Sequence, residues 1–211
     1  MKRAFRNRAE AGERLAALLP SYRKGDALVL AIPAGGVPVA AAIARSLGLQ
    51  IQVAPVSKVL LPWTTESGYG AVAFDGSVWI DDAAAKSYGL RQEQIDKAIA
   101  EARAKVERRN RRFKAWKVAS RLDGKTIILV DDGIAAGSTM RTAIAALRNQ
   151  AVGKIVVAVP TGHERSLDAL RQLANEVVCA DIRGGRSFAV ADAYEEWHDL
   201  SDDDVEALLK P

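Results

Sequence analysis

The stretch Thr126 to Thr142, TIILVDDGIAAGSTMRT, constrains this chain more than any other. It opens on an apolar, β-branched run, Thr126 to Val130, of the kind found in a parallel sheet covered on both faces. Two carboxylates follow, Asp131 and Asp132, then a loop of small residues, Gly133 to Thr139, and a helical pattern from Met140 to Arg148. Side chains alternate along a strand, so adjacent Asp131 and Asp132 cannot both pack into one apolar face. Burying two carboxylates at a strand end is costly unless they meet a cation or hydroxyl donors. The small loop leaves backbone N–H groups bare at a helix N-terminus, where the partial positive charge favours a phosphate. An acid pair beside such a nest points to a phosphorylated sugar, with carboxylates on ribose hydroxyls and the loop on the 5'-phosphate. The competing account is a strand ending in an Asx turn that caps the helix. That needs one Asp and explains neither the second nor the loop.

Other chemistries find no support. The sequence holds neither a G-x-x-x-x-G-K-[ST] phosphate loop nor a G-x-G-x-x-G dinucleotide fingerprint. His163 and His198 are the only histidines and lie far apart, without zinc-ligand spacing, and no G-x-S-x-G nucleophile turn occurs. With 211 residues, 49% hydrophobic and 27% charged, the chain has the make-up of one globular α/β domain, expected to span 1–211. No apolar run is long enough for a membrane span, and the start is charged rather than a signal core. The lone Cys179 follows Val177-Val178 and reads as a buried thiol in a reducing, cytoplasmic setting.

The central stretch resembles the signature of the type I phosphoribosyltransferases: four apolar residues, two acids, and a loop of the form A-[TA]-G-x-T. The resemblance implies that Asp131 and Asp132 hold the 2'- and 3'-hydroxyls of phosphoribosyl pyrophosphate (PRPP). Ala135, Ala136, Gly137, Ser138 and Thr139 would bind its 5'-phosphate. It also implies Mg²⁺ as cofactor, carried mainly on PRPP oxygens, with Asp131 and Asp132 touching the sugar more than the metal. The implied reaction moves the phosphoribosyl group to a nucleobase, expected to be of purine type, with pyrophosphate released. In 6-oxopurine members an acid three residues beyond the second signature acid serves as general base. Ala135 stands there, so the base is unassigned.

An earlier strand, Ala27 to Ile32, leads into Pro33-Ala34-Gly35-Gly36 and an Ala-rich helix over Val39 to Ser46, stopped at Gly48. Paired glycines between a buried strand and a helix signal a close backbone approach, a positive φ or a plain tight turn. By resemblance Ala34, Gly35 and Gly36 form the pyrophosphate loop, although Ala34 replaces a customary basic residue. Ile51 to Val56 reads as the next strand, with Ser57-Lys58 at its end. Lys58 is either a solvated lysine or, by resemblance, a catalytic contact to pyrophosphate. The excursion 60–82 carries alternating runs around Asp75-Gly76, a hairpin signal. Its position matches the family's flexible lid over PRPP, in which Thr64, Glu66 and Tyr69 are candidate contacts.

The remaining pattern alternates helix and strand: helix Arg6–Leu19, a long helix Leu90–Trp116, strand Lys154–Val159 ended by Pro160, helix Arg165–Ala174, strand Glu176–Ala180. The fold expected is a doubly wound, mostly parallel α/β sheet with its ligand loops at the strands' C-terminal edge. The segment 183–200 resembles the small C-terminal hood of 6-oxopurine enzymes. There Phe188 either stacks on the base or merely packs the hood with Tyr194 and Trp197, and Asp192 is a further edge contact.

Net charge is +4, yet Arg103 to Arg121 holds nine basic residues against one acid, and Asp192 to Glu206 holds eight acids without Lys or Arg. Opposed blocks fit pairing within the chain, a homodimer interface, a phosphate contact or, through Arg108 to Arg112, RNA. Ala34 and Ala135 keep a second function open: a PRPP-sensing regulator with little or no transferase activity, binding RNA through that basic run.

Overall fold

The computed structural model describes residues 3–65, 67–118, 122–185 and 188–210. Five strands form an all-parallel sheet in the order β2-β1-β6-β7-β8: β1 Leu28–Ala31, β2 Gln50–Val53, β6 Thr126–Val130, β7 Lys154–His163 and β8 Glu176–Arg183. The apolar runs populate both faces, as their composition requires. Leu28, Leu30, Ile127, Leu129, Ile155 and Val157 face one core, with Met140, Ile144 and Leu147 of helix α5 (Ser138–Arg148) and Leu167 of helix α6 (Glu164–Arg171). Val29, Ala31, Ile128, Val130, Val156 and Ala158 face the other, beneath α1 (Arg8–Ala17), α2 (Gly36–Leu47) and α7 (Asp202–Leu209).

The excursion begins earlier than the sequence suggested. Strand β2 stops at Val53, because Pro55 offers no N–H to the ladder. Ser57–Leu60 is then β3 of a separate antiparallel sheet with β4 (Gly68–Val72) and β5 (Val78–Ile80). Lys58 therefore lies within β3, not at the end of a parallel strand. The β4–β5 hairpin turns at Asp75-Gly76 as expected, with Gly76 at φ 89°. It is fastened to the body: Asn110 Nδ2 of α4 (Gln92–Arg112) donates to the Phe74 carbonyl, and Asn149 Nδ2 to Ser77 Oγ. Val59, Leu61, Tyr69 and Val72 pack on Ala102 and Val106 of α4. Tyr69 is thus core rather than a substrate contact, and Glu66 lies outside the described residues. A short helix α3 (Asp82–Ser87), capped by the Asp81 carboxylate, joins β5 to α4.

Strand β7 does not end at Pro160 but continues to His163. Strand β6 has already stopped opposite Ala158, and the β8 register passes over Pro160, so its missing N–H breaks no ladder bond. The long helix ends at Arg112, with a 3-10 turn at Lys114–Trp116. Among the described residues no helix is long and apolar enough to cross a membrane.

Candidate active site

The acids, the first loop and the second loop meet at the C-terminal edge of β1 and β6. Gly35 lies so close to the acid pair that a Cβ there would stand 1.9 Å from Asp132 Oδ2; one on Gly36 would stand 2.7 Å from the Val130 carbonyl oxygen. Gly35 itself has an ordinary right-handed backbone, φ −60° and ψ −35°. The paired glycines are therefore explained by close approach, not by a positive φ. Ala34, half-buried, sits directly before them, and the Pro33–Ala34 peptide is cis.

The second loop is shaped by Gly137, at φ 83° and ψ 2°, which turns Ala135 and Ala136 outward and starts α5 at Ser138. The eleven-residue helix α5 points its N-terminal amides at this loop, while Thr142 Oγ1 donates back to the Ser138 carbonyl. Ala135 and Ala136 line a cavity of about 390 Å³ with His163, Arg165, Ser166 and Phe188. The structure thus brings Phe188 to the phosphate-loop candidates, its ring 6.4 Å from that of His163. Thr139 is half-buried in the first turn of α5. Asp192 is exposed. Arg186 and Ser187 lie outside the described residues.

The two acids live in different surroundings. Burial and then the Asp132 charge raise the Asp131 carboxyl well above the ordinary carboxylate range, while Lys58 acts in the opposite sense. Its Oδ1 accepts the Asp132 N–H at 2.9 Å. Asp132 is likewise raised by burial but is opposed by Arg8, whose Nε donates to Asp132 Oδ2 at 2.9 Å. That ion pair was not legible in the sequence, where Arg8 is only one residue within the helical pattern Arg6–Leu19. The Arg8 guanidinium lies 3.8 Å from the centre of the Trp197 ring and donates from Nη1 to the His198 carbonyl. Tyr194 Oη donates to the Asp132 carbonyl at 2.6 Å.

Positive charge also collects beside the first loop. Arg109 Nη1 donates to the Pro33 carbonyl at 3.0 Å. Burial, followed by the nearby charges of Arg109, Arg108 and Lys58, lowers the Lys105 ammonium, with Asp202 opposing. The basic and acidic blocks pair within the chain: Arg109 with Asp202 at 2.7 Å, Arg112 with Asp203 and Glu206. Cys179 is half-buried and its thiol is pushed up to about 11, chiefly by burial, so it is no nucleophile at neutral pH.

A family model described as "Phosphoribosyl transferase domain" matches residues 5–193. The chain belongs to this family. Two Mycobacterium tuberculosis relatives, from strains H37Rv and CDC 1551 and each provisionally named a phosphoribosyl transferase, are 33% identical over 205 residues. The match covers 97% of this chain but 46% of each relative, so the chain spans less than half their length. The crystal structure of TT1426 from Thermus thermophilus superposes with a TM-score of 0.76 at 32% identity, covering 97% of both chains. The parallel sheet flanked by helices is therefore the type I phosphoribosyltransferase fold.

Proposed function

We propose that the chain transfers the 5-phosphoribosyl group of PRPP to a nitrogenous base of purine type and releases pyrophosphate. One observation carries this reading: the Gly35 approach to Asp132 makes the pyrophosphate-loop candidate and the acid pair a single continuous surface. On it, Ala34, Gly35 and Gly36 would offer backbone amides to pyrophosphate, with Lys58 supplying charge. Asp131 and Asp132 would take the ribose hydroxyls. The amides of Ala135 to Thr139 would take the 5'-phosphate, and Phe188 would stack on the base. The acceptor nitrogen forms its bond to C1' as the C1'–oxygen bond to pyrophosphate breaks, and the nitrogen's proton passes to solvent. The protein's share is positioning and charge stabilisation.

Among the described residues no cluster of three or more His, Cys, Asp or Glu could hold a metal. Two carboxylates, one already paired with Arg8, are too few for Mg²⁺ by themselves. They fit an ion that arrives on PRPP oxygens, with Asp131 as the protein contact; bound there, it would neutralise phosphate charge.

A PRPP-sensing regulator is the second reading, favoured by the occupied Asp132 Oδ2 and by Ala34. Its RNA surface is reduced, since Arg109 and Arg112 are engaged by α7. Pyrophosphate release from PRPP and Mg²⁺ across a panel of purine and pyrimidine bases separates the two. Release with a purine supports transfer; silence with retained PRPP binding supports sensing. A homodimer belongs to this proposal by family likeness, because the charge blocks no longer argue for one. A monomer by light scattering at physiological salt overturns it.

A further inference from the structure

We propose that Arg8 is a positioning residue for the ribose site, holding the Asp132 carboxylate in the one orientation that presents Oδ1 to a sugar hydroxyl. The inference rests on the PRPP-binding reading above. Three neighbours fix Asp132, one at its backbone and two at its side chain. Arg8 Nε donates to Oδ2 at 2.9 Å, Tyr194 Oη donates to the Asp132 backbone carbonyl at 2.6 Å, and the Cα of Gly35 closes the side where a Cβ would collide. The Asp131 carboxyl and the Asp132 amide adjoin the same carboxylate, so Arg8 is its one cationic partner among the hydrogen bonds described. The guanidinium is itself held, lying over Trp197 and donating to the His198 carbonyl, and the ion pair is largely buried, at 8% and 15% side-chain exposure.

Stability gives little reason for this arrangement. A desolvated ion pair adds little over an apolar pair of the same volume. Its location is the informative part: an arginine from the first turn of α1, 124 positions away, reaches the ligand edge of the sheet and grips a signature acid. Through Trp197 and Tyr194 the same contact joins that acid to the C-terminal segment. A carboxylate with one oxygen clamped loses less rotamer freedom when the other accepts a hydroxyl.

The test compares wild type with Arg8→Gln, Arg8→Lys and, as a control elsewhere on α1, Arg14→Gln. Calorimetry in Mg²⁺ measures binding of PRPP, ribose 5-phosphate and inorganic pyrophosphate, below the melting temperature of each variant. Arg8→Gln should weaken PRPP and ribose 5-phosphate about tenfold or more, the loss expected for a charge-assisted hydrogen bond. Pyrophosphate should stay within about twofold of wild type, since it would lie on the other loop. Arg8→Lys should recover part of the loss, and Arg14→Gln should match wild type. Equal losses for ribose 5-phosphate and pyrophosphate would reduce Arg8 to a structural role. Unchanged or tighter PRPP binding by Arg8→Gln overturns the proposal alone. If wild type binds neither PRPP nor ribose 5-phosphate, the functional reading falls with it. Should Arg8→Gln not fold, Trp197→Leu keeps the arginine but removes the ring that holds its guanidinium against Asp132, loosening the clamp. It should show the same selective loss, and wild-type affinities for all three ligands would overturn the inference.

Discussion

Arg109 of α4 donates from Nη1 to the carbonyl of Pro33, 76 positions away, at 3.0 Å. The same guanidinium is ion-paired with Asp202 of α7. A helix whose basic run resembled a solvated face is thus a strut under the first ligand loop.

Removing that strut should be measurable. Arg109→Ala should lower stability by about 2 kcal/mol, because it strips a charged hydrogen bond and leaves Asp202 unpaired. Arg103→Ala, on the exposed face of the same helix, should stay within about 0.5 kcal/mol. Urea titrations of both variants provide the comparison.

The acid pair should separate by pH. A raised Asp131 value means the folded chain binds that proton more tightly than the unfolded chain does. Its stabilising contribution is present at low pH and is lost as pH rises from the unfolded 3.8 through the raised folded value. Asp131→Asn should therefore match wild type only below the unfolded value of 3.8 and gain on it progressively as pH rises to about 8. Asp132→Asn should be less stable by about 3 kcal/mol at neutral pH, since it leaves Arg8 without its carboxylate. The double variant should lose the thermal shift induced by PRPP. A preserved shift would contradict the sugar-binding role.

Gly35→Ala should displace the Asp132 carboxylate, because the new methyl would fall 1.9 Å from Oδ2. The expected cost is about 2 kcal/mol of stability, with PRPP binding lost in the folded fraction. Gly89→Ala is the useful contrast: its cost would be backbone strain alone, since no atom lies within 4 Å of the added Cβ, and PRPP binding should survive.

Phe188→Ala should weaken a purine nucleoside monophosphate by about 1–3 kcal/mol, the scale of base stacking on an aromatic ring. PRPP, which has no base, should bind as before. Fluorescence or calorimetric titration with both ligands decides whether the ring stacks or only packs near His163.

How much of this was written in the sequence depends on the range of the interaction. The parallel sheet followed from continuous apolar runs at β1, β6 and β7, and the loops followed from Gly35-Gly36 and Gly137, all local patterns. The early stop of β2 was also local, in Pro55, but the alternation around it hid the break. Arg8 was different. Helical periodicity shows which residues of α1 face a core; it gives no sign that the first-turn arginine meets a carboxylate 124 residues on. The partners of Arg109 and Arg112 were equally hidden. Opposed charge blocks announce a pairing without saying whether it closes within one molecule, and α7, capped by Ser201 and Asp204, had to be placed before it could be seen.

Phe5 and Tyr194 form a parallel bridge, so the first and last parts of the fold are sewn together at the rim of the sheet. During synthesis Arg8 and Asp132 leave the ribosome well before Tyr194 and Trp197 do. A nascent chain can build its sheet early, yet the platform for Arg8 arrives only with Tyr194 to His198, so competence for ligand should wait until those residues have emerged.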